Sequence, residues 1–168
     1  MDSQLFDLAV RAGQCLKARG WMLITAESCT GGWVAEAVTM VAGSSAWFER
    51  GFVTYTDLAK QEMLGVQPAT LKQHGAVSEP TVREMVAGAL AHSPGDVAVS
   101  VSGVAGPTGG THAKPVGMVC LGWGVRGHES LSVTRHFPGD REAVRRSAVI
   151  EALEGLIRLT CAGSENGT

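Results

Sequence analysis

No stretch of this 168-residue sequence approaches the roughly 18 consecutive apolar residues that a membrane-spanning helix needs. The first residues, MDSQLFDL, lack the basic start and apolar core of a secretion signal. Membrane-embedded and secreted classes are set aside, and a cytoplasmic location is the expectation. Charge of one sign is scarce too. The formal net charge is −2, so no global field draws the chain to nucleic acid or to a lipid surface. An anionic ligand has to be held by local geometry instead. Cysteine is limited to Cys15, Cys29, Cys120 and Cys161 with no CxxC pair, which predicts free thiols in a reducing compartment. No ligand cluster for a metal stands out, and no metal or cofactor is expected. The Walker A loop, GxGxxG and GxSxG are all missing, and Ser28 lacks the lysine three residues on that SxxK enzymes carry.

What is present describes a folded domain. Hydrophobic residues make up 45% and charged residues 18%, a balance that buries a core. The expectation is one domain over residues 1–163 with a frayed tail, SENGT, at 164–168. Leu5, Leu8, Ala9, Ala12 and Leu16 repeat at helical spacing up to Gly20. A strand near 21–26 leads into a helix from about 32 to 41, and Ala46 to Thr56 alternates as a strand. Helices follow from Asp57 to Leu64, between Pro68 and His74, and after the cap residue Ser78. Strands are expected at 96–103, 116–125 and 130–137, then a long helix from near Asp140. Helices alternate with strands early and three strands run together late. That order predicts an α/β sandwich, with a mixed central sheet and helices on both faces.

The 22 glycines cluster in places that suggest chemistry. TAESCTGG (25–32) sits between two apolar runs, as a strand-to-helix turn with Ser28 at its apex. Ser28 is either a helix cap or a nucleophile awaiting a base. A histidine base is open in principle, but the five histidines (74, 92, 112, 128 and 136) fall in loops, at helix ends or at a strand edge with no obvious partner and read as surface residues. VTYTDLAK (53–60) puts Tyr55 at a strand end and Lys60 in the first turn of a helix. The helix dipole opposes a positive charge there by at most ~2 kcal/mol, roughly 1.5 pKa units. A lysine near 10.4 has to fall to about 7–8 to act as a base, so burial or a cationic ligand must supply the rest. An exposed surface lysine is the other reading of that position. SGVAGPTGGTHAKPVG (102–117) is rich enough in glycine to bring backbone N–H groups to an anion, or it is a flexible crossover. In GDREAVRR (139–146), Arg141 and Arg145 lie four apart at a helix start, where an anion is favoured, or they form a solvated basic face.

Taken together, TAESCTGG, VTYTDLAK, GAVSEPTVREM, SGVAGPTGGT with KPVG, and FPGDREAVR resemble the CinA C-terminal domain family in order and near its spacing, over roughly residues 5 to 160. The resemblance implies hydrolysis of the carboxamide of nicotinamide mononucleotide to nicotinic acid mononucleotide and ammonia, in pyridine nucleotide salvage. It implies a catalytic serine, lysine and tyrosine at Ser28, Lys60 and Tyr55, and a homodimer or higher oligomer. Thr56-Asp57-Leu58 stand where relatives often have Ser-Asn-Glu, which leaves that set intact. On this reading Ser28 attacks, Lys60 takes its proton, and Tyr55 relays it towards ammonia. Backbone N–H groups of Thr30, Gly31 and Gly32 are the expected oxyanion donors. Gly103, Gly106, Thr108, Gly109, Gly110, Arg141 and Arg145 are the expected binding residues for a small nucleotide. The rival readings are a non-catalytic nucleotide-binding or competence-associated module, and an amidase for another small amide.

Overall fold

The computed structural model describes residues 1–161. The expected tail at 164–168 lies outside them. Alternating side chains along three adjacent strands explain the layering. In β1 (Leu23–Glu27), β3 (Val97–Gly103) and β4 (Met118–Val125) nearly every residue is buried, so both sheet faces must be covered. Leu23, Val97, Val99, Val101, Val119, Leu121 and Trp123 point to one face. There they meet α1 (Ser3–Arg19), α2 (Trp33–Thr39) and α6 (Arg141–Cys161). Ile24, Ala26, Ala98 and Cys120 point to the other, against α3 (Asp57–Leu64), α4 (Pro68–His74) and α5 (Glu79–Ala91). With β2 (Phe48–Val53) and β5 (Leu131–His136) at the edges, the order is β2-β1-β3-β4-β5. The first three strands are parallel and the last two pairings antiparallel. The expected mixed sheet with helices on both faces is what the chain forms.

The long helix α6 packs over β4 because position 155 is glycine. A Cβ there would lie 2.2 Å from the Trp123 ring, whose Nε1 donates to the Ala152 carbonyl at 3.0 Å. Asp140 caps this helix, accepting from the Ala143 N–H at 2.9 Å.

Two expectations change. The second strand runs from Phe48 to Val53 rather than from Ala46 to Thr56, because Ser44–Ala46 forms a 3-10 turn ahead of it and the chain leaves the ladder after Val53. The thiols are not all free. Cys15 on α1 and Cys161 on α6 form a disulfide, their Cα atoms 5.3 Å apart, and sequence spacing gave no hint of a pair 146 residues apart. Cys29 and Cys120 are free and buried.

Candidate active site

The parallel strands β2, β1 and β3 all end on one side of the sheet. From β1 the chain crosses to β2 on one flank, while β3 lies on the other. A crevice opens at the carboxyl ends where the order reverses. Ser28 follows β1, Tyr55 follows β2, and Ser102 and Gly103 close β3. They line one cavity of ≈ 350 Å³ together with Lys60, Thr108, Gly109 and Arg141. No histidine lines it.

The alternation of β1 continues into the turn and sends successive side chains opposite ways. Glu27 goes beneath α2. Its fully buried carboxylate accepts from the N–H groups of Gly32 (3.1 Å), Val34 (3.0 Å) and Ala35 (2.9 Å), and from the Thr30 hydroxyl (2.6 Å). It satisfies the orphan donors of a helix start from below, which the N-terminal residue Gly32 has no side chain to do. Gly31 and Gly32 hold φ of 60° and 99°, values that explain the paired glycines. Ser28 goes the other way, to the α3 face, with its own N–H paired to the Val101 carbonyl at 2.9 Å.

Lys60 meets it there. A helical Cα–Cβ bond leans towards the helix N-terminus, so the lysine stem runs back over the first turn of α3. Its Nζ lies 3.0 Å from Ser28 Oγ, 2.9 Å from the Thr54 carbonyl and 3.3 Å from the Tyr55 carbonyl. Those carbonyls are available because β2 ends at Val53. Lys60 is 1% exposed, so the surface reading of this residue is excluded. Burial pushes its pKa below the ordinary value, against the smaller opposing influence of Asp57 and Cys29. A neutral amine has two hydrogens and one lone pair. With its hydrogens on the two carbonyls, that neutral form would have its lone pair left to accept the serine proton, whereas the charged amine donates to Ser28 Oγ as well.

The remaining expected residues separate. Arg141 lines the cavity, donating from Nη1 to the Gly106 carbonyl (2.7 Å) and from Nη2 to the Tyr55 hydroxyl (3.1 Å). The Tyr55 hydroxyl thus faces Arg141 and makes no hydrogen bond to Ser28 or Lys60. It is the main-chain carbonyl of Tyr55 that touches the pair. Gly103, Gly106, Thr108 and Gly109 line the cavity, whereas Gly110 does not, packing under Val116 instead. Arg145 does not line it either. Its Nε and Nη2 donate to the carbonyls of Cys29 (3.0 Å) and Thr30 (3.1 Å), and its guanidinium lies over Trp33. Among the expected oxyanion donors, Gly31 N–H closes the turn onto the Ser28 carbonyl (3.0 Å) and Gly32 N–H is held by Glu27. The N–H groups of Cys29 and Thr30 are donated to no backbone carbonyl or other residue's side chain among the described residues.

The sequence reading missed three residues. Glu27 carries the turn, and the signal for it was a carboxylate at a strand end ahead of an uncapped helix. Ser102 is 1% exposed and lines the cavity, and the alternation of SVSG marked it. Cys29 lines the cavity as well, its thiol pushed up to about 12 by burial and by the Glu27 carboxylate. It stays protonated at neutral pH.

Fold and site define a class: an α/β enzyme whose serine and lysine meet in a crevice at the ends of parallel strands. The comparisons make this specific. The sequence profile of the CinA C-terminal domain matches residues 5–160, and the chain belongs to that family. It is 56% identical over 155 residues to the nicotinamide-nucleotide amidohydrolase PncC of Escherichia coli, covering 92% of this chain and 94% of that protein. The Pseudomonas putida protein of the same name is 55% identical over 152 residues, covering 90% and 94%. Among solved structures, the competence/damage inducible protein CihA of Agrobacterium tumefaciens superposes with a TM-score of 0.90 at 46% identity, over 93% of this chain and 95% of that one.

Proposed function

We propose that this chain hydrolyses the carboxamide of nicotinamide mononucleotide, giving nicotinic acid mononucleotide and ammonia. The observation that carries the mechanism is the buried Lys60 amine 3.0 Å from the Ser28 hydroxyl. Ser28 Oγ attacks the amide carbon as its proton passes to the lone pair of Lys60. The N–H groups of Cys29 and Thr30 receive the developing oxyanion. Collapse of the tetrahedral intermediate breaks the C–N bond, and Lys60 returns its proton to the departing nitrogen, releasing ammonia. Water then attacks the acyl ester, Lys60 accepts its proton and gives it back to Ser28 Oγ, and the free acid leaves. Tyr55 contributes its carbonyl, which with that of Thr54 holds the amine in place. A cationic pyridinium in the cavity disfavours a second positive charge nearby and so favours neutral Lys60. The reading includes a single catalytic domain, a homodimer or higher oligomer as the family resemblance suggests, and a cytoplasmic role in pyridine nucleotide salvage.

Purified protein pretreated with a chelator is expected to release one ammonia for each mononucleotide consumed, at the rate of untreated protein. This reading is motivated by the lysine base and by the absence of any cluster of three His, Cys, Asp or Glu among the described residues. Activity lost to the chelator and restored by zinc would end the Ser28–Lys60 mechanism. Ammonia from a different small amide but none from the mononucleotide would transfer the site to another substrate. Binding of the nucleotide with no ammonia at all would favour a non-catalytic module.

For the 5′-phosphate we assign Arg141 with the glycine loop around Gly106, Thr108 and Gly109. Arg141→Ala is expected to lower kcat/KM for the mononucleotide about 10- to 150-fold more than for the riboside, the cost of one charge-assisted contact. Equal losses on the two substrates would remove Arg141 from phosphate recognition.

A further inference from the structure

We infer that Arg145, which lies outside the cavity, is a positioning residue for the oxyanion hole. It holds two consecutive carbonyls of the nucleophile turn so that the peptide N–H behind Ser28 is presented to the reacting carbonyl oxygen. The inference rests on the amidohydrolase reading above.

In a trans peptide the C=O and the N–H point in opposite directions, and the one cis bond in the described residues is Gly106–Pro107. Arg145 Nε takes the Cys29 carbonyl at 3.0 Å, and Nη2 takes the Thr30 carbonyl at 3.1 Å. Both carbonyls therefore face α6, and the N–H groups of the following residues point away from it. The Gly31 N–H is used within the turn, on the Ser28 carbonyl. The Thr30 N–H is not used by any group in the described residues, although Thr30 is fully buried. A buried backbone donor without an acceptor is rare in a native structure. Here it adjoins the nucleophile, where an oxyanion would supply the missing acceptor.

The charge of Arg145 matters as well as its hydrogen bonds. It forms none of the ion pairs among the described residues. Its positive charge is set instead against the oxygen ends of two peptides and the face of Trp33, 5.3 Å from the ring centroid. A cation behind a peptide carbonyl polarises that peptide, which makes its N–H a stronger donor and adds a favourable field at a negative charge developing beyond it. These effects grow with the charge on the substrate oxygen, so they act on the transition state far more than on bound substrate. Arg141 and Arg145, one helical turn apart, thus have different duties. The first faces the cavity and the second faces the back of the turn.

The test compares wild type with Arg145→Ala, Arg145→Lys and Arg145→Gln, each checked for folding by thermal melting, on the mononucleotide and on the riboside. Arg145→Ala is expected to lower kcat about 10²-fold, with KM for the mononucleotide within about twofold of wild type. The riboside should lose the same factor, since no phosphate contact is removed. Lysine keeps the charge and glutamine only a donor, so Arg145→Lys should retain more kcat than Arg145→Gln. This last comparison stands even if the alanine variant does not fold. A kcat within about threefold of wild type in Arg145→Ala would overturn the inference. So would a rise in KM confined to the mononucleotide, or equal kcat for the lysine and glutamine variants. If wild type itself releases no ammonia from the mononucleotide, it is the amidohydrolase reading that fails, a result distinct from an active wild type whose variants are unaffected.

Discussion

Replacing Lys60 by arginine is expected to lower kcat by about 10²–10⁴-fold while leaving KM nearly unchanged. Arginine keeps the positive charge and most of the reach, but a guanidinium stays protonated in a protein and has no lone pair to offer Ser28. Lys60→Ala should fall as far. If Lys60 instead steered an anion, arginine would retain most activity and alanine would raise KM. Substantial turnover by Lys60→Arg at neutral pH would therefore sink the Ser28–Lys60 assignment even in a working amidohydrolase. The pH profile gives an independent check. The base must be neutral, so wild-type kcat/KM should climb with pH through an apparent pKa below the ordinary lysine value, in the direction burial dictates. Stability carries the same signature. Below the lowered folded pKa the buried ammonium is a full cost. Between that value and the ordinary one the unfolded chain binds the extra proton, so stability rises with pH and the cost is gone above the unfolded pKa. Lys60→Met should accordingly melt higher than wild type at neutral pH, with the gap closing in alkali. A gap that widens with pH would contradict the assignment.

Removal of the nucleophile has the largest effect expected here. Ser28→Ala should lose roughly 10⁴-fold or more in kcat, because the whole acyl-transfer route goes with it. The adjacent Cys29 also lines the cavity and offers the obvious competing nucleophile. Its chemistry is wrong for the task. With a pKa of about 12, roughly one thiol in 10⁴ is ionised at pH 8. Cys29→Ala should keep kcat within about threefold, a change of ~0.6 kcal/mol in barrier. Iodoacetamide should label neither Cys29 nor Cys120 in the folded protein, and both after denaturation, since burial raises both thiols. Rapid inactivation by iodoacetamide, with Ser28→Ala still active, would pass the nucleophile's role to Cys29.

Most of the architecture was legible because its signals are local. Leu5 to Leu16 at helical spacing, VAVSVSG and MVCLGWGV as buried strands, and Gly20 and Gly65 as helix stops each report on a short window of chain. The strand expected at Ala46 to Thr56 ran long at both ends, because alternation alone cannot tell where a ladder finds no partner. Here the mistake bears on function. The carbonyls of Thr54 and Tyr55 hold the lysine amine because they are no longer in the sheet.

By itself the sequence determined the elements, the place of Ser28 at a strand-to-helix turn, and the position of Lys60 in the first turn of the helix that follows Tyr55. These follow from periods of two and 3.6 residues, which a chain carries wherever it goes. Only the tertiary structure decided what each arginine does. Arg141 and Arg145 stand four residues apart on one helix face, and in sequence both are cations near a helix start. The packing of α6 over β3 and β4 turns one towards the glycine loop and Tyr55, and the other onto the backs of Cys29 and Thr30, more than a hundred residues away. The same packing joined Cys15 to Cys161, and that of α3 on the opposite face buried Lys60. Burial and long-range contact depend on which faces of distant elements meet, and no window of sequence contains that information.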